Sequence, residues 1–152
     1  VGDAAEFDGP FGVALSSDAS ALFVADLDNH KIRRVEVATG AVTTLAGSGT
    51  LGSADGVGGT ARFCYPCGLA LSPNGTALFV ADNDNHQIRR VEVATGAVTT
   101  LAGSDTRGSA DGMGGAAQFT NPLGVAVSAD GSTLLVCTND GGLRQVCVAA
   151  PP

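Results

Sequence analysis

The chain has 152 residues, 44% hydrophobic and 15% charged, a balance that suits roughly one globular domain and argues against disorder. Eight Lys and Arg against fifteen Asp and Glu give a formal net charge of −7, so nothing here would neutralise a run of phosphates, and neither nucleic acid nor an anionic membrane surface is expected as a partner. No apolar run approaches the roughly 20 residues that span a bilayer, no leader is visible, and the opening on Val1 reads as a mature or excised segment.

A repeat organises everything else. Pro10, Pro66 and Pro122 are spaced by 56 residues, and residues 32–48 and 88–104 are identical. The repeats run approximately 10–65, 66–121 and 122–152, the last incomplete, within one domain spanning 1–152. The opening VGDAAEFDGP matches the tail of the inter-repeat segment VGGTARFCYP, so the chain is expected to start in a connector and stop inside a repeat.

In the first repeat the apolar run GVALS (12–16) predicts a strand covered on both faces. A Ser-Asp-Ala-Ser turn leads to ALFVAD (21–26), Asp28-Asn29-His30 to IRRVEV (32–37), and Thr39-Gly40 to AVTTLAG (41–47). The second repeat follows the same order with Asn74-Gly75 as its first hairpin turn, and the third with Asp130-Gly131 before TLLVCT (133–138). No stretch has sustained helical periodicity. One helical turn is possible at 59–63, copied at 115–119, where Phe63 and Phe119 are placed to anchor the connector. Four-stranded antiparallel units in tandem predict an all-β chain of about three β-propeller blades, forming a partial or open propeller. The first strand of each unit would lie innermost, and VTTLAG outermost, where Thr43 and Thr44 tolerate water.

Pro-x-Gly-[Val/Leu]-Ala, then Leu-Phe-Val-Ala-Asp, then Asp-Asn-His-x-Ile-Arg resembles the NHL repeat. The connector Leu-Ala-Gly-Ser-x-x-x-Gly-x-Ala-Asp-Gly-x-Gly-x-x-Ala-x-Phe is similar to that of a branch with long repeats. The resemblance covers essentially the whole chain and implies a propeller, commonly of six blades. It implies no single function: such propellers serve as protein docking platforms, RNA binders, secreted modules and, more rarely, lyases.

A blade buries both faces against neighbours, so three blades in an arc leave a raw face at each end, with Phe23, Val24 and Val80 at risk of exposure. Each such side chain is worth roughly 1.5–3 kcal/mol when buried. The arc is therefore expected to be completed by further blades of a longer chain, by ring closure with a copy, or by head-to-tail filament growth. The third repeat also leaves the edge 143–148 open to strand addition.

Asp26, Asp28, Asn29 and His30, with Asp82, Asp84, Asn85 and His86, would cluster on one rim and are the candidates for binding a ligand there. Carboxylates and imidazoles together suit a metal, but the third copy reads Thr138, Asn139, Asp140, Gly141, Gly142 and breaks the ring, while Asp and Asn in turns commonly bond their own backbone. No metal or other cofactor is expected. Arg33, Arg34, Arg89 and Arg90, followed by Glu36 and Glu92, predict a cross-blade ion network on the outer surface. The Gly-rich connectors lack the features of phosphate loops, and no catalytic constellation can be assembled.

Cys64, Cys67, Cys137 and Cys147 break the repeat and are disulfide candidates with three possible pairings. Cys147 is expected opposite Leu134, too far from Cys137 for a direct bond. A Cys64-x-x-Cys67 redox or zinc site is the alternative. Asn74-Gly75-Thr76 is a glycosylation sequon on an exposed turn. Cysteines and sequon together point to an extracellular or cell-surface setting. The sequence thus reads as a non-catalytic structural or assembly module joining copies or domains through blade faces and an open strand edge. Its alternatives are a scaffold binding a protein or small ligand on its rim and, third, a metal-dependent lyase.

Overall fold

The computed structural model describes residues 5–148. Blade 1 holds β1 (Pro10–Leu15), β2 (Ala21–Asp26), β3 (Lys31–Glu36) and β4 (Val42–Ala46), paired in that order. The connector adds β5 (Gly56–Val57) and one 3-10 turn at Gly58–Thr60. Blade 2 follows with β6 (Pro66–Leu71), β7 (Ala77–Asp82), β8 (Gln87–Glu92) and β9 (Ala97–Gly103), and β5 pairs with β9 as a fifth strand. A second 3-10 turn, Gly114–Ala116, precedes blade 3, made of β10 (Pro122–Val127), β11 (Thr133–Thr138) and β12 (Leu143–Cys147). All pairings are antiparallel. The chain is therefore all-β and forms partial propeller blades, as the turn chemistry predicts. Among the described residues no helix is long and apolar enough to cross a membrane.

The first hairpin turn of each blade closes on one polar side chain. Asp18 accepts from Ser16 and Ser20, Asn74 from Ser72 and Thr76, and Asp130 from Ser128 and Ser132. Those serine hydrogen bonds hold the Asp18 and Asp130 carboxyls down to about 2.

Two cores lie between blades. The first packs Phe23, Ala25, Ile32 and Ala46 of blade 1 against Leu69, Leu78, Val80, Val91 and Val98 of blade 2, with Ala61 and Phe63 of the connector filling the seam. The second repeats this 56 residues on, with Phe79, Ala81, Ile88 and Ala102 facing Leu134, Val136 and Val146, and Ala117 and Phe119 in the seam. Phe23 and Val80 are thus interior residues of the first seam, not raw-face residues, and Val24 is also buried, at 5% exposure.

The innermost strands approach too closely for side chains between them. A Cβ on Gly12 would meet the Cys67 carbonyl at 2.2 Å, and one on Gly68 the Leu123 carbonyl at 2.5 Å. This glycine in Pro-x-Gly is a requirement of blade stacking.

Candidate functional site

Three arginines at equivalent positions tie each connector to its blade. Arg33, Arg89 and Arg144 donate through Nη1 to the carbonyls of Glu6, Arg62 and Gln118 at 3.3, 3.0 and 3.1 Å. Each guanidinium lies over a connector ring, Phe7, Phe63 or Phe119, 5.4–5.6 Å from its centre. Arg33 pairs with Asp26 at 2.8 Å and Arg89 with Asp82 at 2.7 Å; Arg89 also reaches Asp55 at 2.7 Å. In blade 3 Thr138 stands where the others have Asp, and among the described residues Arg144 pairs only with Asp111, at 2.5 Å. The expected surface network is therefore corrected in part. Arg34–Glu36 is an exposed pair and Arg90–Glu92 a half-buried one, each within one strand, whereas Arg33 and Arg89 turn inward because successive strand residues face opposite sides.

The same geometry sorts the rim candidates. Asp26 and Asp82 are fully buried. Each also accepts a connector backbone N–H, from Asp8 or Cys64 at 2.8 Å, and an amide N–H of Asn29 or Asn85. His30 and His86 have positive φ, 54° and 55°, closing the turn tightly. Their Nδ1 atoms accept from the Tyr65 and Asn121 backbone N–H groups of the next blade, at 3.3 and 3.2 Å. Asp28 and Asp84 remain exposed. Asp84 accepts from the Asn121 side chain at 2.9 Å. Rim residues thus join one blade to the next, and among the described residues no group of three or more His, Cys, Asp or Glu is arranged to hold a metal.

None of the four cysteines is bonded to another. Cys147 lies opposite Thr133, not Leu134, because five residues separate the Cys137–Leu143 pair where four were expected. Cys137 and Cys147 are then on one face, about 13 Å apart at strand spacing, beyond bonding reach. Cys67 is buried, and burial, reinforced by Asp84 and Asp82, pushes the Cys64 and Cys67 thiols up to about 11. Neither thiol is activated for redox attack near neutrality.

What the repeats hide in the middle they expose at the ends. Leu69 is 8% exposed and its blade 1 counterpart Val13 is 61%; Phe79 is 2% and its blade 3 counterpart Leu135 is 46%. Leu143, at the place of Ile88, is 70% exposed. One face of blade 1 and the opposite face of blade 3 are open, a feature that the sequence assigned to other residues.

No family model matches the chain. Individual relatives do. It is 40% identical over 102 residues to NHL repeat-containing protein 2 of Bos taurus, covering 66% of this chain. It is 30% identical over 145 residues, 90% of this chain, to Protein SUPPRESSOR OF QUENCHING 1, chloroplastic, of Arabidopsis thaliana. The backbone matches an auxiliary nutrient binding protein from Bacteroides thetaiotaomicron with a TM-score of 0.74, at 22% identity, over 89% of this chain and 36% of that one.

The chain belongs to the NHL-repeat family.

It spans 14% of the length of each of the two relatives named. NHL blades explain the arrangement above: Asp-Asn-His forms the turn that carries the interblade histidine bond, and Ile-Arg supplies the seam aliphatic and the inward guanidinium. The guanidinium–Phe stack was the feature missed in the sequence. Its signal was available, since the connector Phe and the strand Arg recur with the same 56-residue spacing in the first two repeats.

Proposed function

We propose that this chain is a non-catalytic assembly module of the propeller-scaffold kind. Its two open blade faces each take a neighbouring blade, from a copy or from the rest of a longer chain. The observation behind this is the contrast at equivalent positions: Val13 against Leu69, and Leu135 against Phe79. Covering each such side chain contributes roughly 1.5–3 kcal/mol. The two faces are the complementary halves of an interblade seam, so docking between copies is head to tail and leads to a closed ring or a filament. A rim reading, in which the exposed Asp28 and Asp84 meet a protein or small ligand, is the second function.

Light scattering across a concentration series tests the first reading. The expected result is a mass that rises with concentration, and its loss in either Val13→Glu or Leu135→Glu. Mixing the two variants should restore pairs, because each retains one good face, and those pairs should grow no further. A folded monomer at every concentration would overturn association between copies.

The extracellular setting belongs to this proposal too. Asn74 is exposed, and its hydrogen bonds run through Oδ1, leaving the amide nitrogen available to a glycan. Expression through a secretory pathway with and without glycosidase, read by mass, decides it. An unmodified Asn74 would remove that support.

A further inference from the structure

At the rim, a bond between two strained residues ties blade 1 to blade 2, and its copy ties blade 2 to blade 3. Among the described residues five other than glycine have positive φ, and four of them form these ties. His30 at 54° meets Tyr65 at 52°, and His86 at 55° meets Asn121 at 45°. Left-handed backbone costs free energy in such residues and persists only where neighbouring contacts hold it. Here the contact is the later blade's backbone N–H donating to imidazole Nδ1, at 3.3 Å from Tyr65 and 3.2 Å from Asn121. The Tyr65 ring also stands edge-on to the His30 imidazole, 4.7 Å between centres.

Nδ1 receives an N–H only while it carries no proton itself, so both ties close on the neutral ring. An imidazolium donates from both nitrogens, and its Nδ1–H would confront the backbone N–H of the next blade. Around the first tie the titratable groups are Asp26, Asp28 and Lys31 of its own turn, and Cys64, Tyr65 and Asp82 of the next blade, with Asp82 receiving the Cys64 N–H. The Gly47–Gly49 segment packed on His30 carries no charge. Around the second tie they are Asp82 and Asp84 of its own turn, Asp105 bonded to Gln87, and Asp140 of blade 3. Asp84 there accepts from the Asn121 side chain, and Thr138 stands in place of the buried acid.

We propose that the His30–Tyr65 and His86–Asn121 ties are acid-released latches, which lock successive blades at neutral pH and open the rim end of each junction when the imidazole is protonated. The seams beneath, packed around Phe63 and Phe119, hold apolar side chains and stay closed, so acid turns each junction into a hinge without unfolding its blades. Only the open latch accepts a proton at Nδ1, and a solvated imidazole takes one near pH 6.5. Closure is therefore favoured in full above about pH 7, and at pH 5 the open state gains about thirtyfold in weight. The latches are joints within the chain and stand apart from whatever covers the open faces.

Amide hydrogen exchange of the full chain, resolved by NMR at pH 7.5 and pH 5 and corrected for intrinsic rates, tests the latches. Protection at Tyr65 and Asn121 is expected to fall about thirtyfold, while Val80 and Ile88 in the strands of blade 2 keep theirs. His30→Asn retains an acceptor, through Oδ1, and suits a left-handed position, but takes no proton. It should abolish the dependence at Tyr65 and leave that at Asn121, and His86→Asn should do the converse. The Asp82 carboxyl, pushed up to about 6 by burial, is still present in His30→Asn. A dependence at Tyr65 that survives this variant belongs to the carboxyl and overturns the latch. Unchanged protection at both amides of the parent overturns it as well, and an equal loss at Val80 shows general unfolding in its place.

Discussion

Arg89 and Asp82 meet at 2.7 Å with both side chains wholly removed from solvent, at the rim end of the middle blade. The equivalent Arg33–Asp26 pair leaves its arginine 14% exposed, and blade 3 has Thr138 in place of the acid. The pair is most buried where blades stand on both sides, so its energetic weight grades along the arc.

Removing the cation should therefore be costly. Arg89→Met leaves the Asp82 carboxylate buried without its partner, and a loss of about 3–5 kcal/mol in unfolding free energy is expected. Arg34→Met, which breaks only the exposed pair with Glu36, should cost less than about 1 kcal/mol. Urea unfolding of the two variants beside the parent measures both, and similar losses would contradict the grading.

The same pair sets a pH dependence. Burial pushes the Asp82 carboxyl up to about 6 from an ordinary 3.8, against the opposing pull of Arg89 and of hydrogen bonds from Cys64 and Asn85. Between those values the folded chain holds a proton that the unfolded chain has released. The stability linked to that proton is full below about 4 and is lost as pH rises toward about 6. The melting temperature of the parent relative to Asp82→Asn should fall between pH 4.5 and 7. A rise over that range would show Arg89 outweighing burial.

Gly68 and Gly124 occupy the same place in successive blades and should respond differently to alanine. A Cβ on Gly68 meets backbone of blade 3 at 2.5 and 2.8 Å, which side-chain motion cannot relieve. On Gly124 it meets only the Cys137 sulfur, which can rotate away. Gly68→Ala is expected to cost more than about 2 kcal/mol and Gly124→Ala less than about 1, on the scale of overpacked sites. Thermal unfolding of the two variants compares them directly, and equal losses would argue against the open face of blade 3.

Alkylation should split the cysteines into two classes. Cys137 and Cys147 are exposed, whereas burial and two nearby carboxylates keep Cys64 and Cys67 protonated up to about 11. Iodoacetamide at pH 7.5, read by peptide mass, should label the first pair well before the second. Fast labelling of Cys64 would show that its thiol is not held back.

Strand order and turns were legible because they depend on neighbours in sequence. Alternating and apolar runs, Asn-Gly and Asp-Gly turns, and a 56-residue period specify blades before any tertiary contact exists. The rim was only partly legible. Asp26 and Asp28 are two residues apart in one motif, yet one is sealed beneath Arg33 and the other faces water, and that choice belongs to the connector packed over them.

By itself, then, the sequence determined the fold class, the family and the four-strand plan of the repeat, since all three are local patterns repeated along the chain, whereas the fifth strand that β5 adds to blade 2 was not legible in it. Only the tertiary structure decided which copies of a repeated residue are buried. Val13 and Leu69 occupy equivalent positions in the repeat, and the presence of a blade beside the second leaves one in water and the other in the core. Burial here comes from the neighbouring blade, and a repeat unit carries no record of whether it has one.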